Sequence, residues 1–294
     1  MASNFSGILL LDKAQGVSSA RAIAQVKRKL NLQKIGHAGT LDPMATGLLV
    51  CLIGRATRCA TFAEDGEKCY SGAIRLGRVT DTDDVTGVTL QETKVDVSFE
   101  SVVTTAQAFI GKISQIPPQY SAIKLNGERA YERARRGEAT ELKAREVEIR
   151  TLDLAATSDS ALITFRMTCS CGTYVRSLAR DLGEKLGCGA CLESLRREGS
   201  VPFKVTHAKT LDEIQESDLM EWSTLFPQVP KLRLNAASIE RLYGGDQRDL
   251  SKLLTPYSDL LGPASMAIYG GEERGAPGGV LLKKSDQWVL GVNV

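Results

Sequence analysis

Apolar and polar residues alternate along several parts of the chain with the period of a β-strand. Residues 163–170 (ITFRMTCS) place apolar side chains on one face and polar side chains on the other, which predicts a strand with one buried face. The segment 69–77 (CYSGAIRLG) alternates in the same way, and the apolar runs at 7–13 and 48–53 predict buried strands. We therefore expect a sheet whose strands come from distant parts of the chain.

Other segments repeat apolar residues with the period of a helix. Residues 18–31 begin with serines suited to an N-cap, and their apolar side chains share one face while the outer face is basic. A second capped helix is predicted over 98–110 and a third within 171–187, where Gly187 marks the end. These helices and the strands follow no regular βαβ order, so the pattern predicts an α+β fold with a largely antiparallel sheet.

The chain changes character after about Pro230. Thr210 and Glu213 have the spacing of a capping box and predict one more short helix before that point. Beyond Pro230 glycine and proline become frequent, and two short apolar runs flank a polar turn at the end of the chain. We therefore expect a main domain over residues 1–229 and a small β-rich domain over 230–294.

The charge is unevenly distributed, although the chain as a whole carries only +2. Between residues 10 and 60 there are eight basic residues and two acidic residues, Asp12 and Asp42. A basic region built around one carboxylate suits a polyanionic ligand. A solvated basic helix face is the alternative interpretation.

The absence of targeting features in the sequence and the cysteine content predict a cytoplasmic protein. No apolar run approaches the ~20 residues of a membrane span, and the first residues lack the features of a signal peptide. The seven cysteines are an odd number in a chain without an export signal, which favours free thiols. The pairs in CSC (169–171) and CGAC (188–191) leave zinc as a minor alternative, because the first spacing is shorter than a zinc knuckle requires.

The segment 36–49, GHAGTLDPMATGLL, places one carboxylate, Asp42, in a glycine-rich turn beside apolar sequence. It has no second acid for a glycosidase pair and no metal-ligand set, and only His37 and His207 are available for a triad in the whole chain. The acidic segment 81–92 contains the acidic residues of a calcium-binding loop, but the spacing of its acidic residues and glycine does not match such a loop. We therefore expect a solvated turn there. From the residues alone, Asp42 is either a lone nucleophile or base, or a turn-forming aspartate.

This segment closely resembles the catalytic motif of the TruB-type pseudouridine synthases. Four further segments resemble motifs of the same family in the same order, at 9–19, 68–87, 116–138 and 171–197. Ala14 stands where the family usually has proline, and Cys171 and Cys191 also depart from its pattern. The resemblance implies a pseudouridine synthase catalytic domain with a mixed, largely antiparallel sheet flanked by helices, an RNA-gripping insertion at about 118–146, and a PUA-like RNA-binding domain at the end.

The resemblance also implies the reaction. A uridine in the T-loop of tRNA (position 55) would be isomerised to pseudouridine by cleavage of its C1′–N1 bond and rejoining through C5. Asp42 would be the catalytic carboxylate, ionised at neutral pH, and would either attack C1′ or remove a ribose proton. Arg176 would hold Asp42 in one orientation and keep its pKa low. Tyr70 would stack on the base and take the C5 proton, and Leu195 would close the other side of the pocket.

The resemblance implies roles for two more residues. The target uridine must be flipped out of its loop, and His37 would fill the space that it leaves, while Tyr174 would line the pocket. Taken singly, each of these side chains has a purely structural interpretation as a core residue, a surface ion pair or a turn histidine.

The expected partner is the T-arm of tRNA. No metal, cofactor, membrane or obligatory protein partner is expected, and the enzyme would act as a monomer. The alternatives are an RNA-binding or tRNA-folding protein that does not need turnover, and a synthase that acts on another RNA or is directed by a guide.

Overall fold

The computed structural model describes residues 5–121, 123–125, 127–138, 141–246, 248, 250–262, 264–271 and 277–294. The strands up to the middle of the chain are β1 (Gly7–Lys13), β2 (Ile35–Ala38), β3 (Thr46–Ile53), β4 (Lys68–Leu76), β5 (Arg78–Thr80), β6 (Thr89–Glu92), β7 (Gly111–Gln115), β8 (Lys124–Leu125), β9 (Glu128–Arg129) and β10 (Arg145–Ala156). They are followed by β11 (Leu162–Cys169), β12 (Ala190–Ser200), β13 (Phe203–Lys204), β14 (Met220–Glu221), β15 (Lys231–Arg233), β16 (Met266–Gly270), β17 (Gly278–Lys284) and β18 (Gln287–Asn293). The α-helices are α1 (Ser19–Lys29), α2 (Ala60–Glu64), α3 (Phe99–Ala106), α4 (Ala130–Arg135), α5 (Val175–Leu186), α6 (Ala236–Tyr243), α7 (Leu250–Leu254) and α8 (Ser258–Leu261).

The larger sheet runs in the order β14-β1-β3-β12-β4-β11-β10-β7, with β2 on β3 and β13 on β12. Its pairs are antiparallel apart from β3 and β12, which are parallel where Gly47 faces Arg197. Strand β4 lies in the middle, between β12 and β11. The predicted α+β fold with a mixed, largely antiparallel sheet is confirmed.

The predicted helices pack against one face of this sheet. A core cluster joins apolar residues of α1, α3 and α5 to those of β1, β4 and β11. Helix α1 is capped by the Ser18 side chain, which accepts a hydrogen bond from the main-chain N–H of Arg21. Helix α5 ends at Gly187, whose φ of +75° is the left-handed conformation that favours glycine.

The helix expected after Thr210 does not form. The Glu213 carboxylate accepts hydrogen bonds from the main-chain N–H and the hydroxyl of Thr210, but the chain makes only a turn. The N–H of Ile214 still donates to the Thr210 carbonyl, but Gln215 is extended and caps a separate short turn over Glu216–Asp218, so the helix does not continue.

The end of the chain forms a second sheet in the order β15-β16-β17-β18, accompanied by the short helices α6, α7 and α8. The sheet matches the predicted β-rich tail, whereas the glycine and proline content gave no sign of the helices. A second core cluster joins Ile8 of β1 to Val280 of β17 and to Val294, so this sheet packs against the large one.

The segment expected to grip RNA connects two neighbouring strands. Strands β7 and β10 pair with each other, and the chain between them contains β8, β9 and α4. Residues 122, 126 and 139–140 of this connection lie outside the described residues. None of the described helices has the length and apolar character needed to cross a membrane.

Candidate active site

The loop that carries Asp42 (residues 39–45, the Asp42 loop) joins β2 to β3 and is held by its neighbours along its length. The Ser19 hydroxyl donates to the Leu41 carbonyl at 2.9 Å and accepts from the Leu41 N–H at 2.8 Å. The N–H of Gly16 donates to the Pro43 carbonyl at 2.7 Å. These contacts fix the position of the Asp42 backbone, which is the first requirement for a catalytic side chain.

Arg176 holds the Asp42 carboxylate at two points, by one hydrogen bond and one ion-pair contact. Its Nε lies 2.8 Å from Oδ2, and its Nη2 lies 3.1 Å from Oδ1, which is the bidentate arrangement. Arg176 stands in the first turn of α5 and its side chain is 6% exposed, whereas the Asp42 side chain is 33% exposed. The arginine therefore backs the carboxylate, and the aspartate keeps one side open.

The remaining Arg176 donors bind two other segments. Nη1 donates to the Thr82 carbonyl and Nη2 donates to the Tyr120 carbonyl, each at 2.9 Å. Nε also lies 3.7 Å from Oδ2 of Asp84, a second and more deeply buried carboxylate. One guanidinium thus ties the Asp42 loop to the segment after β5 and to the start of the insertion.

The acidic segment 81–92 is solvated only in part: residues 88–92 are exposed, as expected, whereas Asp84 is buried. The Asp84 carboxylate accepts hydrogen bonds from the Thr82 hydroxyl and from the N–H and hydroxyl of Thr86. Asp83 forms an ion pair with Arg180 of α5 at 3.0 Å. The arginines of α5 attract these carboxylates and hold the segment against the site.

A second cation, Lys13, lies next to the Asp42 loop. Lys13 ends β1, is 1% exposed, and donates to the carbonyls of Ala14, Val17 and Pro43 at 2.9, 2.7 and 3.4 Å. Burial lowers the pKa of Lys13 to about 8, and the Asp42 charge opposes this fall. At neutral pH the lysine is therefore predominantly protonated.

The environment of Asp42 changes its pKa in the direction opposite to our expectation. Burial raises the pKa of the Asp42 carboxyl, the Asp84 charge adds to the rise, and Arg176 and Lys13 oppose it. We expected Arg176 to keep this pKa low, but the loss of hydration outweighs the ion pair. The result is a carboxylate more basic than an exposed aspartate.

Tyr70 lies on β4, in the middle of the sheet, opposite Arg197 of β12 and Met167 of β11. Its side chain packs against the core cluster and is half-buried. Burial raises the pKa of the Tyr70 phenol, the Arg197 charge opposes the rise, and the Asp42 charge adds to it. Tyr70 therefore lies close enough to Asp42 and Arg197 for their charges to change the pKa of its phenol.

The other residues predicted for the site surround this centre. Tyr174 precedes α5 and exchanges hydrogen bonds with the Gln115 side chain through its main-chain N–H and carbonyl. Burial raises the pKa of Tyr174, and the Arg176 charge opposes the rise. Leu195 is buried on β12 opposite Gly72, and His37 is half-buried on β2. The structure brings Asp42 and Arg176 into contact, whereas the roles of the other residues stay predictions.

The chain matches the models of two domains of one family. The model of the TruB family pseudouridylate synthase N-terminal domain matches residues 27–175, and that of the tRNA pseudouridylate synthase B C-terminal domain matches residues 176–261. The chain belongs to the TruB family. It is therefore a pseudouridine synthase, which is an isomerase.

Curated relatives agree with this assignment, and a solved structure shares the fold. The TruB chain is 42% identical over 254 residues to tRNA pseudouridine synthase B of Burkholderia lata, covering 84% of this chain and 79% of the relative. It is also 42% identical over 250 residues to tRNA pseudouridine synthase B of Synechococcus sp. (strain CC9311), covering 83% of each chain. A solved H/ACA RNP bound to a substrate RNA containing 2′-deoxyuridine shares the fold, with a TM-score of 0.64 and 20% identity over 98% of this chain and 83% of that one.

Sequence reasoning missed three buried charges of this TruB site: Lys13, Asp84 and Arg197. For Lys13 a signal was present, because alternation along β1 places it on the same face as the buried Leu9 and Leu11. Asp84 had no such signal, since its partner Arg176 lies in a distant part of the chain. The seven cysteines, which the sequence predicted to be reduced, are free thiols.

Proposed function

We propose that this chain isomerises the uridine at position 55 in the T-loop of tRNA to pseudouridine, with Asp42 as the catalytic carboxylate. The observation that carries the proposal is the bidentate contact between Arg176 and Asp42, at 2.8 and 3.1 Å, in a loop anchored on both sides. It orients the carboxylate while leaving 33% of the side chain exposed to a substrate. The names of the curated relatives support tRNA as the substrate.

The chemistry requires one bond to be broken and another to be formed. The C1′–N1 bond of uridine breaks, the C1′–C5 bond forms, the C5 proton leaves and N1 gains a proton, so the product is an isomer. The raised pKa makes Asp42 a stronger base and nucleophile than an exposed aspartate. It is therefore suited either to attack C1′ or to remove a ribose proton.

The remaining residues are assigned around this carboxylate. Tyr70 stacks on the uracil and accepts the C5 proton, and Leu195 closes the other side of the base pocket. Tyr174 lines the pocket, and His37 fills the space that the flipped uridine leaves. Their support is the family resemblance, together with the proximity of Tyr70 and Tyr174 to the Asp42 charge.

The RNA partner is the T-arm stem-loop, held by the insertion at about 118–146 and by a PUA-like domain over residues 230–294, with the catalytic domain over 1–229. Helix α1 supports this assignment, since its last turn carries Lys27, Arg28 and Lys29 and its first turn has no acidic residue. The enzyme acts in the cytoplasm as a monomer, without an obligatory protein partner.

Release of tritium from C5 of uridine tests the function. A T-arm hairpin with tritium at C5 is incubated with the purified chain alone, and the control hairpin carries cytidine in place of the target uridine. We expect release from the first hairpin and none above background from the second. Tight binding of the hairpin without release contradicts the proposal and favours an RNA-folding protein, while release from both hairpins indicates a different target.

A further inference from the structure

One arginine of the catalytic domain is buried completely and is not used by the mechanism above. Arg197 lies on β12, is 1% exposed and is among the largest fully buried side chains. Its Nε donates to the Leu48 carbonyl at 2.7 Å and its Nη2 donates to the Gly39 carbonyl at 3.1 Å. Gly39 begins the Asp42 loop and Leu48 lies in β3 just after it, so one guanidinium holds both ends of the loop.

The same side chain faces Tyr70. Strands β12 and β4 pair with Arg197 opposite Tyr70, so the two side chains lie on the same face of the sheet and the charge of the guanidinium acts on the phenol. The other charged or titratable groups that act on Tyr70 are Cys169 of β11 and Asp42 of the loop. In this set Arg197 is the cation that opposes the rise in the pKa of Tyr70.

Retaining this charge is costly. A buried guanidinium loses its hydration, and hydrogen bonds to neutral carbonyls offset that loss only in part. The Arg197 charge also lowers the pKa of two other buried cations, Lys13 and Lys68. A methionine would fill the same space without this cost, so packing alone does not explain an arginine here.

We propose that Arg197 is a positioning residue of the reaction, which fixes the Asp42 loop at both ends and faces Tyr70 from the neighbouring strand. It acts through these two groups and does not touch the reacting atoms. The close packing around it fits this role: a Cβ at Gly39 would lie 3.2 Å from the Arg197 guanidinium, and a Cβ at Gly47 would lie 2.4 Å from the Arg197 carbonyl. The inference rests on the proposed function for the catalytic roles of Asp42 and Tyr70.

The first test measures the ionisation of Tyr70 itself and does not depend on enzymatic activity. Phenolate absorbance is titrated in the wild type and in Tyr70→Phe, and the difference gives the ionisation of Tyr70. The same pair of titrations is repeated with Arg197→Met and with Arg197→Lys, which keeps the charge. We expect Arg197→Met to move the Tyr70 titration to higher pH and Arg197→Lys to move it less. An unchanged titration in Arg197→Met overturns the proposal, whatever the activity of the wild type.

The second test measures single-turnover pseudouridine formation and RNA affinity. We expect Arg197→Met to lower the maximal rate about a hundredfold at unchanged RNA affinity, because a displacement of about 1 Å at a reacting group has that effect. The rate of Arg197→Lys should be intermediate. The matched control is Arg75→Lys at the far end of β4, whose arginine pairs with Asp159 and Glu193.

The outcomes separate the inference from the proposed function. A wild type without T-loop activity refutes the proposed function, and the Tyr70 titration then still decides the role of Arg197. A rate that falls only in proportion to the folded fraction, with Tyr70 titrating as in the wild type, shows that Arg197 is structural and overturns the inference.

Discussion

Replacing Arg176 by methionine should move the acid limb of the pH–rate profile to higher pH. Asp42 must be ionised to act, so activity falls as the pH drops through its pKa. Arg176 is the largest of the influences that oppose the rise of this pKa, ahead of Lys13. An opposite charge at this distance lowers the pKa of a carboxyl by about 1–3 units. Removing it should therefore move the acid limb to higher pH by about 1–3 units.

The same substitution should also destabilise the fold. Arg176→Met removes donors from the carbonyls of Thr82 and Tyr120 and leaves the Asp42 carboxylate without its ion pair. Breaking a buried ion pair by removing one partner costs about 3–5 kcal/mol. We therefore expect a decrease of this order in the free energy of unfolding, measured in urea.

A charge-retaining variant separates the effect of charge from that of geometry. Arg176→Lys keeps the cation but cannot make the two-point contact, so its acid limb should stay close to that of the wild type while its maximal rate falls about a hundredfold. Lys185→Met is the matched control on the same helix, because Lys185 is exposed in the last turn of α5.

The assay is single-turnover pseudouridine formation with enzyme in excess, across the acid to neutral range. An acid limb in Arg176→Met that coincides with that of the wild type would refute the reasoning. It would show that the arginine orients the site without controlling the ionisation of Asp42.

Three further predictions concern the neighbourhood of the site. Tyr70→Phe should keep RNA affinity in filter binding but slow single-turnover formation, because the ring stays and the proton acceptor is lost. Ser19→Ala should lower the free energy of unfolding by about 1–3 kcal/mol, since the Leu41 N–H and carbonyl lose their shared partner; an unchanged urea midpoint would contradict this. Gly47→Ala should destabilise more strongly, because its φ is +98° and a Cβ would lie 2.4 Å from the Arg197 carbonyl; a thermal melt equal to that of the wild type would refute the steric argument.

The regular elements were predictable where a side chain's surroundings repeat along the chain. Strand β11 alternates because one face packs on the core, and α1 carries its apolar stripe for the same reason. The helix predicted after Thr210 does not form because a second capping box, between Gln215 and Asp218, starts a new short turn after one turn of chain.

The residues of the site were harder to predict from sequence patterns than the elements of the fold. Asp42 and Arg176 are separated by 134 positions and meet because the first turn of α5 packs against the Asp42 loop. The family resemblance, rather than periodicity, indicated that pair. The contacts of Thr82 and Asp83 in the acidic segment were missed because their partners, Arg176 and Arg180, lie 94 and 97 positions away along the chain.

The most direct test of the central claim is to map pseudouridine in an unmodified tRNA transcript treated with the wild type or with Asp42→Asn, in the presence of a chelator. We predict pseudouridine at the T-loop uridine with the wild type and none with Asp42→Asn, with RNA binding retained by both. Pseudouridine formed by Asp42→Asn at a rate comparable to the wild type would contradict the assignment of Asp42 as the catalytic carboxylate.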